Sequence, residues 1–105
     1  MLESQLTRAV IELARSHGWR SAHFTTARTM KGAYVTAVQG DGAGFPDLVL
    51  VRERIVYAEL KQNGKYPTPS QRAWMTQLKD AGAEVHLWHE RDYPDLISEV
   101  LRGKT

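Results

Sequence analysis

Two carboxylates and a lysine carry the chemistry that this sequence could perform. Pro46-Asp47 opens the apolar part of G-F-P-D-L-V-L-V, and Glu59 and Lys61 lie two positions apart at the end of I-V-Y-A-E-L-K. If these runs pair as strands, the three charged groups can converge on one point. Carboxylate oxygens suit a divalent ion such as Mg²⁺, and the ammonium could orient a water or hold a phosphate. Such a set would suit cleavage of a phosphodiester.

The backbone near these side chains could supply a further oxygen ligand, and we expect it to be the carbonyl of Leu60. The same residues also fit a plain surface hairpin, with Glu59 and Lys61 as an ion pair and Asp47 as a polar strand start. Short patterns of this kind arise by chance. The residues alone therefore leave both interpretations open.

Two extended segments must position these groups. Residues 47–51 read as a buried strand, 52–54 as a short polar connection and 55–61 as a second strand, which predicts a hairpin. Side chains alternate across a strand. The predicted core face therefore carries Val56, Ala58 and Leu60, and the opposite face carries Tyr57, Glu59 and Lys61.

Helices are predicted on both sides of this hairpin. Apolar residues at helical spacing predict a first helix that ends near His17: Leu2, Leu6, Ala9, Val10 and Leu13. A later helix begins at Thr68, which suits the N-cap, with Gln71 placed for a capping box. We also expect strands over 19–24 and 83–89 and a last helix capped by Asp92, but no regular element in the glycine-rich end of 25–44.

The order helix, strand, hairpin, helix, strand, helix predicts an α/β fold with a small mixed β-sheet flanked by helices. The 105 residues suit one domain, and the absence of cysteine excludes disulfides and zinc-thiolate sites. No apolar run approaches the roughly 20 residues of a membrane span, and no secretory signal is visible at Met1-Leu2-Glu3. A net charge of +2 is too small to indicate a partner.

The hairpin and its surroundings resemble the restriction-endonuclease-like superfamily, whose signature is P-D…(D/E)-x-K, and within it the VRR-NUC domain. The resemblance is most specific from Gly44 to Trp88. It is carried by G-F-P-D-L, A-E-L-K, P-S-Q-R-A-W, L-K-D-A-G and V-H-L-W. It extends over nearly the whole chain and implies a restriction-endonuclease-like core of order αβββαβα. Residues 1–105 then form a single nuclease domain similar to stand-alone phage and bacterial members.

The resemblance implies Asp47 and Glu59 as metal ligands, Lys61 as the catalytic lysine, and site roles for Glu3 and Gln71. It implies a metal-dependent DNA endonuclease that uses Mg²⁺ or Mn²⁺, without a small-molecule cofactor or a membrane. Duplex or branched DNA, such as a four-way junction, is the expected substrate. We also expect a homodimer in the cytoplasm of a bacterium or a phage-infected cell.

The sequence itself bears on Glu3 and Gln71. On a helical wheel Glu3 lies at the edge of the apolar stripe, beside Val10, whereas Glu12 lies farther from its centre. Glu3 could reach a metal through water, or it could simply complement the helix N-terminus. Gln71 prolongs the buried stripe of its helix, which suits a site wall, but reciprocal capping with Thr68 is a strong alternative. We expect both roles to coexist only if its side chain is not committed to the cap.

Other candidates are individually weaker. The histidines show no metal-ligand spacing, although His23 near the sheet could approach a substrate. Loop cations could meet DNA phosphates: Arg28, Lys31, Lys65 and Arg72. A non-catalytic nucleic-acid-binding module that keeps the nuclease fold is the main alternative function. An interaction protein with surface ion pairs is the third.

Overall fold

A four-stranded mixed sheet lies against helices in the computed structural model, which describes residues 1–24, 26–28, 34–36 and 40–103. This confirms the predicted fold class. The helices are α1 (Glu3–Ser16), α2 (Pro69–Asp80) and α3 (Asp95–Arg102), and a short 3₁₀ turn covers Glu90–Asp92. The strands are β1 (Arg20–His23), β2 (Thr26–Arg28), β3 (Tyr34–Thr36), β4 (Leu48–Val51), β5 (Ile55–Lys61) and β6 (Glu84–His89).

The strands of the main sheet follow the order β1-β4-β5-β6. The predicted hairpin is confirmed, because β4 and β5 pair antiparallel with Leu48 opposite Ala58. Strand β6 adds parallel to β5, with Glu59 opposite Leu87, and α2 forms the crossover that a parallel pair requires. The end of β5 therefore lies beside the start of α2 and the end of β6.

The predicted alternation in β5 is confirmed on its core face. Val56, Ala58 and Leu60 are fully buried in one apolar cluster with residues of α1 and α3. The buried stripe of α1 consists of Leu6, Val10 and Ala14, and that of α3 consists of Ile97 and Leu101. Helix α2 packs on the opposite face of the sheet, because its Gln71 meets Glu59.

The sequence missed one pair of strands and assigned one helix cap wrongly. Strands β2 and β3 form a separate antiparallel pair that the predicted order of elements did not include, whereas the glycine-rich end at 40–44 carries no helix or strand, as expected. Asp92 does not cap the last helix, because it ends the 3₁₀ turn and its Oδ2 accepts the His89 N–H at 2.8 Å. Arg28 belongs to β2, although its side chain lies outside what is described, and Lys31 lies wholly outside the described residues.

The far end of the hairpin is tied to α3 by two arginines. Arg52 and Arg54 both lie over the indole of Trp19, with their guanidinium carbons 4.7 and 5.0 Å from its ring centroid. Arg52 Nη1 donates to the Leu101 carbonyl at 2.8 Å, and Arg54 Nη2 donates to the Val100 carbonyl at 2.9 Å. Cations are favourable where a helix exposes its last carbonyls. This end of the sheet is therefore closed by its own side chains.

Among the helices within the described ranges, none combines the length and the apolar character needed to cross a membrane.

Candidate active site

A pocket of about 360 Å³ lies where β4 begins and β5 ends. Four of the predicted site residues line it, and they come from four different elements of the chain: Glu3, Asp47, Lys61 and Gln71. The remaining lining residues are Ser4, Thr7, His23 and Phe24. We call this cavity the carboxylate pocket. The fold thus gathers side chains that are far apart in the sequence.

Asp47 is held in place by hydrogen bonds to both neighbouring strands. Its backbone carbonyl accepts the Phe24 N–H at 2.9 Å, which continues the pairing of β1 with β4. Its carboxylate reaches the other way, and Oδ2 accepts the Leu60 N–H at 3.1 Å. The carboxylate therefore accepts a hydrogen bond from β5 that a backbone carbonyl of the neighbouring strand would otherwise accept.

Pro46 explains why the Leu60 carbonyl is available. The register that sets Leu48 opposite Ala58 would set Pro46 opposite Leu60. In an antiparallel pair, a residue that directs its N–H toward the partner strand directs its carbonyl there too. Proline has no N–H to donate, so it cannot satisfy that carbonyl. The buried Pro46 thus gives the Leu60 carbonyl no backbone donor.

Glu59 is a fully buried carboxylate with an incomplete set of partners. Its Oε1 accepts Gln71 Nε2 at 3.4 Å, and within the described part of the chain its Oε2 is buried without a partner. Burial, and then the neighbouring Asp47 carboxylate, raise the pKa of Glu59 to about 9. The alternative of a surface Glu59/Lys61 ion pair is therefore wrong. Two carboxyl groups this close cannot easily both ionise, and a bound cation would relieve that repulsion, so the site is suited to a cation.

Lys61 and Glu3 line the same pocket. The lysine ends β5 and is half-buried, and its charge opposes the rise in the pKa of both Glu59 and Glu3. Burial raises the pKa of Glu3, Lys61 opposes this shift, and Asp47 adds to it. No group of three or more His, Cys, Asp or Glu among the described residues is arranged to hold a metal. Glu3 is thus a pocket wall and not a third direct carboxylate ligand here.

Gln71 caps its helix and contacts Glu59 at the same time. Its Oε1 accepts the Thr68 N–H at 2.8 Å, and the Thr68 hydroxyl accepts the Gln71 N–H at 3.3 Å. This confirms the predicted capping box. The side chain was expected to combine both roles only if it were not committed to the cap; it is committed, yet the opposite end of the amide, Nε2, still contacts Glu59.

The start of α2 is fixed against the loop that precedes Asp47. Gly44 has a φ of 87°, and a Cβ built on it would lie 2.6 Å from the backbone carbon of Ser70. The ring of Phe45 meets that of Trp74 edge to face at 5.1 Å. Trp74 Nε1 also donates to the Asp41 carbonyl at 3.0 Å. These contacts set the distance between Asp47 and Gln71.

Two of the predicted DNA-contacting cations, Lys65 and Arg72, lie outside the lining of the carboxylate pocket. The Lys65 carbonyl accepts from His89, and Arg72 donates to the Pro67 carbonyl at 2.8 Å. Sequence reasoning missed Ser4 and Thr7. Thr7 lies one helical turn from Glu3, and helical spacing could have identified it.

The donor set fits a hard divalent ion. Asp47, Glu59 and the Leu60 carbonyl offer only oxygen atoms, as Mg²⁺ and Mn²⁺ prefer. The crowding of Glu59 against the Asp47 carboxyl, with Glu59 Oε2 buried and accepting no hydrogen bond from the described residues, is the observation that favours an external cation. The two protein carboxylates leave room for water and substrate oxygens, which is usual for Mg²⁺ sites.

Comparison with known proteins identifies the fold and the family. A solved structure described as a "VRR_NUC domain" superposes with a TM-score of 0.66 at 17% sequence identity, over 98% of this chain and 97% of that one. No curated protein matches the chain. The sequence profile of the family described as "VRR-NUC domain" matches residues 5–92. The chain therefore belongs to the VRR-NUC domain family, and it is a nuclease-type module that acts on nucleic acid.

Proposed function

We propose that this protein is a metal-dependent DNA endonuclease that hydrolyses phosphodiester bonds. One observation carries the proposal: the buried Glu59 carboxylate has an oxygen without a described partner, beside a pocket that Asp47 and Lys61 line. Burying such a group without a compensating partner costs free energy. A function that requires a cation at this point explains why the protein buries Glu59 despite this unfavourable free energy.

Asp47, Glu59 and the Leu60 carbonyl would hold Mg²⁺ or Mn²⁺, and Glu3 would interact with the ion through water. The chemistry that such an ion supplies is activation of water and stabilisation of negative charge on the phosphate. Gln71 positions Glu59 by donating to its Oε1. Partners of this kind orient the ligands that they contact.

Lys61 is the cation that this chain itself brings to the reaction. Its ammonium would donate to a non-bridging oxygen of the scissile phosphate, where negative charge grows as the water attacks. The water oxygen forms a bond to phosphorus, and the bond between phosphorus and one ester oxygen breaks. The attacking water releases one proton to solvent, and the leaving oxygen takes one up. The products are a phosphate end and a hydroxyl end.

Branched DNA is the substrate that we propose within this class, with a four-way junction as the probe, and the active species is a homodimer. A two-fold symmetric dimer would present two equal sites, as the cleavage of two strands requires. The resemblance to stand-alone VRR-NUC proteins supports this part of the proposal. DNA binding would draw on cations outside the pocket, such as Lys65 and Arg72.

The test uses the purified chain with plasmid and four-way-junction DNA in Mg²⁺ or Mn²⁺. We expect cleavage with metal and none with EDTA, and a loss of about 10²-fold or more in rate for Lys61→Ala. Asp47→Asn should lose metal binding by calorimetry, whereas Lys61→Ala should retain it. Lys79→Ala is the matched control, because this exposed lysine lies at the C-terminal end of α2, whereas the pocket residue Gln71 lies at the N-terminal end.

Cleavage at equal rates by the unsubstituted protein and Lys61→Ala would refute the assigned role of the lysine. If divalent ions do not change the DNA affinity and no cleavage product appears, a non-catalytic binding module is favoured. Metal titration without any dependence on Asp47 and Glu59 would favour an interaction protein.

A further inference from the structure

A second groove adjoins the carboxylate pocket along the side of α1. It has a volume of about 270 Å³ and is lined by Ser4, Thr7, Arg8, Ile11 and His23. We call it the α1 groove. Three of its lining residues also line the carboxylate pocket: Ser4, Thr7 and His23. A chain molecule bound at the carboxylates could therefore continue into this groove without leaving the surface.

The two cavities differ in charge. The carboxylate pocket is lined by two acidic side chains, Glu3 and Asp47, and by Lys61, whereas none of the described residues that line the α1 groove is acidic. The groove carries Arg8 and a histidine, His23, at the end of β1. Ion pairs in the described part of the chain do not engage Arg8, although they do engage Arg15 of the same helix. The α1 groove therefore offers a cation without a neighbouring described carboxylate in its lining, which favours the binding of an anion.

The polar groups of the α1 groove match a phosphodiester and its sugar. Arg8 offers a planar fork of N–H donors that suits phosphate oxygens, and Ser4 offers an exposed hydroxyl. The hydroxyl of Thr7 already donates to the Glu3 carbonyl at 3.0 Å. Thr7 and the half-buried Ile11 therefore present mainly carbon to the groove, where a deoxyribose could pack.

The position of Arg8 along α1 indicates which phosphate it would meet. Arg8 follows Glu3 by little more than one helical turn, about 7.5 Å along the axis. Arg8 lines the α1 groove and does not line the carboxylate pocket, so a phosphate held between Asp47 and Lys61 is not the group that it faces. The next phosphate of the same strand, extending into the α1 groove, is the group within its reach.

On the basis of the proposed nuclease function, we propose that the α1 groove binds the phosphate next to the scissile one on the same DNA strand. Arg8 is the principal donor, and Ser4 and His23 are the other donors. Contacts of this type fix the register of a nucleic acid on a protein without reading its sequence. The α1 groove would thus align the scissile bond over the carboxylate pocket.

The experiment measures DNA binding by fluorescence anisotropy with Lys61→Ala protein, which is expected not to cleave. Arg8→Ala is added to this background and compared with Arg15→Ala, an exposed arginine on the same face of α1 about 10 Å farther along the axis. We expect Arg8→Ala to weaken binding about tenfold and to lower the salt slope by about 1. Arg15→Ala should change the affinity less than twofold.

A neutral methylphosphonate, placed at each phosphate near the cleavage site in turn, then identifies the contact. A methylphosphonate at the phosphate next to the scissile one should make the DNA affinities of Arg8→Ala and its parent equal. At the other phosphates the difference in affinity between the two proteins should remain. Equal effects of Arg8→Ala and Arg15→Ala, no binding by the parent, or a difference removed at some other phosphate would each overturn the proposal. If DNA binding depends on Arg8 but the unsubstituted protein never cleaves DNA, the nuclease proposal is refuted and the assignment of Arg8 as a phosphate donor is not.

Discussion

The side-chain nitrogen of Gln71 lies 3.4 Å from Glu59 Oε1, while the oxygen of the same amide accepts the Thr68 N–H at 2.8 Å. One side chain thus joins the first turn of α2 to the buried carboxylate of β5. Because the cap fixes the oxygen end of the amide, it also fixes the direction in which the nitrogen donates. A local helix-start signal therefore orients a residue of the candidate site.

Replacing Gln71 by alanine should affect both stability and metal binding. We expect Gln71→Ala to lose about 1 kcal/mol of unfolding free energy from the cap. It should also lose about 10- to 100-fold in metal affinity, because Glu59 loses the group that orients it. Thr68→Ala is the matched control, since it weakens the cap and leaves the contact to Glu59. Urea unfolding and calorimetric metal titration separate the two effects, and equal metal affinities in both variants would contradict the assignment.

The stability of the metal-free protein should fall as the pH rises from about 4.5 to about 9. The pKa of Glu59 is raised from 4.5 to about 9 in the folded state, so folded protein keeps a proton that the unfolded chain releases. The unfolded state then binds fewer protons in this window, and the free energy of unfolding decreases with pH. The raised pKa of Glu3 acts in the same direction. Urea unfolding in EDTA at several pH values measures the slope.

Glu59→Gln is the decisive variant for this pH dependence. Without the titrating group, most of the slope between pH 5 and 9 should disappear. The metal-free variant should be more stable than its parent at pH 8, by about 1 to 3 kcal/mol. It should also lose metal binding. Saturating Mg²⁺ should remove the slope in the unsubstituted protein, because the ion and the proton compete for one carboxylate. An unchanged slope in Glu59→Gln would show that another group is responsible.

Pro46→Ala should weaken metal binding by restoring a backbone donor. The new N–H would face the Leu60 carbonyl across the extended register and compete for an oxygen that we assign to the metal. We expect about tenfold weaker metal binding, equivalent to one net hydrogen bond. Pro67→Ala is the control, as a buried proline elsewhere whose carbonyl is bound by Arg72. Metal titration of the two variants compares them, and equal affinities would show that the Leu60 carbonyl is not a ligand.

Gly44→Ala should displace α2 and with it Gln71. The added Cβ would lie 2.6 Å from the Ser70 backbone, on top of the strain of a φ of 87°. Gly82→Ala is matched in conformation, with a φ of 94°, but a Cβ there meets nothing within 4 Å. We expect a loss of about 1 kcal/mol for Gly82→Ala from strain alone, a larger loss for Gly44→Ala, and reduced metal affinity only for the latter. Thermal unfolding and metal titration provide the comparison.

Local patterns predicted the hairpin and the faces of β5. Alternation assigned Val56 and Ala58 to the core correctly, because each strand residue has only two faces to choose from. Helical spacing and capping likewise predicted α1 and the start of α2. The convergence of Asp47 with Lys61 followed from pairing two short, adjacent strands.

The burial of Glu59 could not be predicted in this way. Alternation assigned it to the face opposite Ala58, but it does not indicate what covers that face. The cover is α2, which Phe45, Trp74 and Gly44 hold in place through contacts between distant parts of the chain. The role of Pro46 was missed for a similar reason, since it depends on register. The dual use of Gln71 required the orientation of its amide, which no sequence spacing encodes.

The arginines at the hairpin tip give the β4–β5 unit two unequal ends. At one end, Arg52 and Arg54 contact helix carbonyls and the Trp19 ring. Both guanidinium groups there therefore find partners within the chain. At the other end, Asp47 and Glu59 crowd two potential negative charges around a single lysine. The firmly anchored end can hold the strands in register whether or not an ion is bound at the acidic end. A protein that must release and rebind an ion would then do so without loosening the sheet that carries its ligands.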